Sequence, residues 1–305
     1  MMIDGLSSGL DSGRGHGLWS DMMKRAIFFG TLAICLSAVL SPAQDGVEKE
    51  LQQSSDDHMR EELGVNPITA PSIRDTLKQL EVFRPVPVGL IDAANREATF
   101  NNRMQTAMHF GSLVADGFLL TLAERSQDIQ EVGKALIRQS RALGVGERLT
   151  KRSKSLLESS DRGDWAGMRQ ELVRTQEDVE TSMLELRDEE MAHMISLGGW
   201  LRGFQIGATS TADAYSPAKA AVLANTEIMD YFLDRLDTLH PGLKKTEMVT
   251  TLTLRIKEIR ALAAGADGRP VTPVQAARLR DLANDAEAAA TAKVDEEGRF
   301  EKPKR

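Results

Sequence analysis

Glu190-Met191-Ala192-His193 puts a carboxylate and an imidazole three residues apart, on one face of any helix that carries them. With that spacing the two groups of a helix can share a metal, as they do in di-iron bundles. Such a centre also needs a second copy and two further inward glutamates. His58, His109 and His240 have Ser55, Thr106 and Asp237 at the matching offset, so only the last offers another carboxylate. Asp237 and His240 stand just before Pro241, at a helix end, where a histidine serves the final carbonyls. Glu190 and His193 are therefore the candidate metal or small-ligand position, set against a solvated or hydrogen-bonded histidine.

Other chemistries lack their signatures. The chain contains no G-x-x-x-x-G-K-S/T, no strand-borne G-x-G-x-x-G and no H-E-x-x-H, and its one G-x-S-x-G, Gly5-Leu6-Ser7-Ser8-Gly9, lies in the upstream leader with no strand pattern before it, so no cofactor is implied and no catalytic residue stands out. Cys35 is the only cysteine, which excludes an intrachain disulfide and a multi-thiolate metal site. Lys134, Arg138, Arg141, Arg148, Lys151, Arg152 and Lys154 form a cationic run broken only by Glu131 and Glu147 among nearby acids. Arg148, Lys151 and Arg152 are its candidate anion-binding members, for an anionic glycan, a lipid headgroup or an acidic protein. The acids from Glu171 to Glu190 offer partners inside the fold, and cross-helix pairing is the expectation.

His109-Phe110-Gly111-Ser112-Leu113 and His193-Met194-Ile195-Ser196-Leu197 share His-x-x-Ser-Leu, which suggests either a paired-histidine site or two helices with similar packing needs. Small residues recur every fourth position at Ala107, Gly111, Ala115 and at Gly199, Gly203, Gly207. Each glycine inside a helix costs about 1 kcal/mol relative to alanine, and close approach of a neighbouring helix is the compensating reason. At 100° per residue His109 points away from the first ridge, so the two histidines are not expected to line one interface between the ridges.

The elements that must hold these residues read as helices throughout. Ser72 caps a short helix to about Phe83, stopped by Arg84-Pro85-Val86-Pro87. Further helices span about 101–124, 127–143 and 147–159. A long one from Trp165 to about Ala208 is capped by Asp164, with a kink near Arg187-Asp188. Ser216-Pro217 starts a helix that runs to Leu239, and Thr246 to Ala263 and Thr272-Pro273 to about Lys293 complete the set. No strict alternation marks a strand. The expected fold class is all-α, a multi-helix bundle or irregular helical array with no significant sheet. It occupies residues 72–293, before a charged disordered tail at 294–305.

Lys24-Arg25, the apolar run from Ala26 to Leu40 and Ser41-Pro42-Ala43 together form a secretory signal peptide over residues 22–43, with cleavage after Ala43. The run is shorter than the ~20 residues of a spanning helix, and an uncleaved anchor is the alternative. Residues 1–21 form an upstream leader. Residues 44–71 hold seven acids against two bases and form a flexible acidic tether. The 305 residues are 41% hydrophobic, 27% charged and only 5% aromatic, which permits a helical core and disfavours a sandwich or barrel. A net charge of -7 speaks against a nucleic-acid partner. The function expected is that of an exported helical binding or scaffold protein, periplasmic or extracellular. Its partner would be a protein or an anionic cell-envelope component, and no transmembrane segment is expected in the mature chain. The alternative is a bundle that binds a metal or small ligand near Glu190 and His193.

Overall fold

The computed structural model describes residues 78–91, 96–146, 155–156, 158–265, 270–295 and 299–301. Of these, 78% are helical and none lies in a strand, so the fold is all-α. The 3-10 turns Leu80–Phe83 and Val88–Leu90 lead into α1 (Arg103–Leu122) and α2 (Ser126–Ala142). Then come α3 (Trp165–Glu185), α4 (Glu189–Asp213), α5 (Pro217–Leu223) and α6 (Glu227–Thr238). Last are α7 (Pro241–Lys244), α8 (Glu247–Ala263) and α9 (Pro273–Thr291). Residues 155, 156 and 158–161 are also helical.

Polar side chains start these helices where the sequence places them. Asp164 accepts from the Gly167 amide at 2.9 Å and Ser216 from the Lys219 amide at 3.2 Å. Thr272 and Gln275 exchange bonds in a capping box, with Pro273 at the first helical position. Each satisfies amides that the first turn leaves unpaired. Gly144, at φ +85°, ends α2 in the left-handed conformation that favours glycine.

Two boundaries differ from the sequence reading. The helix expected from Trp165 to Ala208 with a kink is two helices. Arg187 adopts φ +56°, the Asp188 amide reaches back to the Met183 carbonyl at 2.8 Å, and α4 then runs on to Asp213. The expected kink near Arg187-Asp188 is thus a full break, which no glycine or proline marks. The helix expected from Pro217 to Leu239 is also two, because α5 stops at Leu223 and Asn225 Oδ1 accepts from the Glu227 amide at 3.2 Å to begin α6. The expected tail likewise turns back where it is described. Val294 and Phe300 form an antiparallel bridge, the Phe300 amide donates to Glu247 Oε2 at 2.7 Å, and the ring packs half-buried on the core. A phenylalanine in that charged segment supplies the apolar surface that holds it there.

The core is built around α1 and α4. Residues 104–122 are buried without interruption, as are residues 191–195 and 197–211. The α1–α4 interface is the most extensive in the fold, followed by those of α4 with α9, α1 with α2 and α8 with α9. The small-residue ridges explain how two buried helices approach so closely. A Cβ on Gly111 would lie 1.9 Å from the Ile195 carbonyl oxygen, and one on Gly198 would lie 1.9 Å from that of Met108. Backbone therefore touches backbone at this crossing. The rest of the second ridge faces a different neighbour: Gly203 meets the Leu80 side chain and Gly207 the ring of Phe83. No helix among the described residues is long and apolar enough to cross a membrane.

Candidate functional site

The pair singled out by spacing is divided between two tasks. Glu190 Oε1 accepts from the His240 backbone amide at 2.7 Å, which ties the start of α4 to the start of α7. His193 Nδ1 instead meets the Tyr231 hydroxyl of α6 at 3.1 Å, with the two rings edge to face. Asp237 pairs with Lys244, and His240 Nδ1 accepts from the Gly242 amide at 3.2 Å. No group of three or more His, Cys, Asp or Glu side chains that could hold a metal ion occurs among the described residues.

Arg148, Lys151 and Arg152 lie outside the described residues. Two earlier members of the run, Lys134 and Arg138, are engaged locally. Lys134 Nζ pairs with Glu131 at 2.8 Å and Arg138 Nη2 donates to the Arg96 carbonyl at 2.7 Å. Arg96, Glu97, Glu131 and Arg138 line a cavity of about 340 Å³, whose walls thus carry both signs of charge.

The polar constellation at the centre of the molecule was not among the sequence candidates. Gln105, His109, Ser112 and Asp116 fall at i, i+4, i+7 and i+11, one stripe along α1, and all four are buried. The stripe is answered from α4 and α9. Arg202 Nε donates to Asp116 Oδ1 at 2.6 Å, Nη2 to the Leu90 carbonyl at 2.8 Å and Nη1 to Gln205 Oε1 at 2.5 Å. Gln205 passes the chain on to Asn284 Oδ1 at 2.9 Å. Ser112 Oγ donates to Glu287 Oε1 at 3.2 Å, and Gln105 Nε2 donates to the Ala290 and Ala292 carbonyls at 2.8 and 2.7 Å. Burial pushes the Glu287 carboxyl up, with Asp116 adding to the shift and Arg202 opposing it. One signal for this cluster was present in the sequence: Asp116 and Arg202 are charged residues inside the two most continuously apolar stretches after residue 71.

No protein-family model matches the chain, and no curated protein or solved structure shows significant similarity to it.

The two core histidines occupy separate interfaces. His109 is 2% exposed, packs edge-on against Phe100 at 5.2 Å, and neither ring nitrogen has a hydrogen-bond partner. Burial, reinforced by the Arg202 and Arg138 cations, holds its pKa down to about 4. Burial and Arg235 hold His193 down to about 4 as well. Both rings are neutral in the native state at neutral pH. An unfolded chain takes up these protons near pH 6.5, so the stability they support is complete above that pH and is lost as pH falls towards 4. His109 is expected to remove about 2 kcal/mol at pH 5, and His193 at most that amount. Discharging Glu287 acts in the opposite direction, so the diagnostic quantity is the difference between variants. Urea midpoints at pH 7.5 and 5 should fall less on acidification in His109→Gln and His193→Gln than in the parent, and an equal fall would count against the assignment.

Proposed function

We propose that the chain is an exported, non-catalytic helical protein that binds or scaffolds in the periplasm or outside the cell. The observation that carries this reading is the use made of the central ionic groups. Arg202 spends its guanidinium on Asp116, Gln205 and the Leu90 carbonyl, and so joins α4 to α1 and to the turn before it. Glu287 and Asn284 bring α9 into the same network. A buried ionic network satisfied in this way sets which helices meet and in what register, a role attested for buried polar groups elsewhere. Export rests on the basic start, apolar run and small residues ending at Ala43.

Mass spectrometry of the protein recovered from its native host tests the export arm. The expected mature chain begins at Gln44. A species that keeps residues 22–43 replaces secretion with an N-terminal anchor. Metal analysis of the same material tests the scaffold arm: stoichiometric iron, manganese or zinc would turn the reading towards a metal protein centred near Glu190 and His193.

A further inference from the structure

The seam between α4 and α6 is joined by one side-chain hydrogen bond among the described residues, from Tyr231 to His193 Nδ1 at 3.1 Å. Beside it lies a cluster of aromatic rings. Phe232 of α6 packs on Trp200 with ring centroids 5.2 Å apart, and Trp200 in turn stacks on Phe204. Beside these rings the packing is incomplete, with a cavity of about 40 Å³ lined by Leu80, Trp200, Gly203, Phe204, Ile228 and Met229 among others. On its other side α6 packs on α8, where Asp230 and Arg260 form a two-bond ion pair at 2.7 and 2.9 Å. α6 also makes more extensive contact with α8 than with α4.

The charges around His193 come from every neighbouring element. From α6, Arg235 lies over the Tyr231 ring, 5.7 Å from its centroid, and acts directly on the imidazole. From α3, Glu180 acts on Tyr231 and accepts from Ser196 Oγ at 2.7 Å and Gln176 Nε2 at 2.9 Å. On α4 itself Glu190 is turned to the His240 amide, and at its start Asp188 pairs with Arg103 of α1.

We propose that the α4–α6 seam is an acid-sensitive latch: a proton taken up by His193 parts α6, still carried on α8, from α4 and uncovers Trp200 and Phe204 beside the adjoining cavity. The neutral ring can accept at Nδ1 from the Tyr231 hydroxyl, which burial keeps protonated with a pKa of about 12. The charged ring has a donor at both nitrogens, so the bond must reverse. It also places a second cation beside Arg235 in a buried seam, and opening returns the imidazole to solvent. With the closed form held to about 4 and a solvated imidazole near 6.5, the ratio of open to closed seam rises about 20-fold between pH 7 and pH 5.

The test uses the full chain with Trp19→Phe and Trp165→Phe, which leaves Trp200 as the sole tryptophan. Between pH 7 and pH 5 its emission is expected to shift to the red and to become open to acrylamide quenching, while the helical circular dichroism holds. His193→Gln should abolish the step, and His109→Gln, altered in a different interface, should keep it. Tyr231→Phe removes the group that receives the reversed bond and should move the step to higher pH, which serves even where His193→Gln does not fold. A step that survives His193→Gln, vanishes with His109→Gln, stays at the same pH in Tyr231→Phe or coincides with loss of helix overturns the latch, as does the lack of any step.

Discussion

Gly198→Ala is expected to destabilise the protein by more than about 3 kcal/mol, although alanine is the better helix former by about 1 kcal/mol. The added methyl would lie 1.9 Å from the Met108 carbonyl oxygen and 2.5 Å from its carbonyl carbon. Both atoms are backbone, inside a helix buried on all sides, so neither can turn aside as a side chain does. Gly111→Ala meets the Ile195 carbonyl oxygen at 1.9 Å and the Gly199 amide nitrogen at 2.7 Å, and should cost a similar amount. Gly203→Ala is the control on the same helix. Its Cβ would stand 3.3 Å from the end of the Leu80 side chain, which can give way, so a change within about 1 kcal/mol is expected. Thermal melts of the three variants read the contrast directly. Equal melting temperatures for Gly198→Ala and Gly203→Ala would mean that the helices do not touch at the crossing.

Asp116→Ala should cost about 3–5 kcal/mol, because it leaves the Arg202 guanidinium buried without its carboxylate. The two groups are 0% and 5% exposed at their side chains, which removes the solvent screening that makes most ion pairs weak. Arg202→Met should cost a comparable amount by leaving the Asp116 carboxylate stranded. The double variant Asp116→Leu, Arg202→Met removes both charges together. Its loss should be well below the sum of the single losses, since an apolar pair of similar bulk carries no desolvation penalty. Urea denaturation of Asp116→Leu, Arg202→Met and the double closes the cycle, and additive losses would show that the charges do not interact.

The helical class and the caps were legible because they depend on local chemistry. Asp164, Ser216 and Thr272 each face the amide three residues on, and helical periodicity carries across the core. The interruption at Arg187 was legible as a kink but not as a full break, since a non-glycine residue in the left-handed region leaves no compositional mark. The close crossing of two helices was legible from Gly111 and Gly199, yet the tightest contact on α4 falls at Gly198, just outside the four-residue ridge. Glu190 and His193 attracted notice through spacing on one helix, but what each side chain does is decided by α6 and α7, far along the chain. The Arg202 network was missed for the same reason, because its members become one group only when three separate helices meet.

That meeting has a consequence for the order of events as the polypeptide emerges from its start. Ser112 waits 175 residues for Glu287, Gln105 waits 185 for Ala290, and Gln205 waits 79 for Asn284. Until the last helix arrives, the polar stripe of α1 has no lid and α4 shows an apolar flank to whatever surrounds it. A helical protein with such distant pairings folds late and as one unit, unlike bundles closed by neighbours along the chain. Truncation before Pro273 would therefore produce an open, adhesive remnant instead of a smaller bundle.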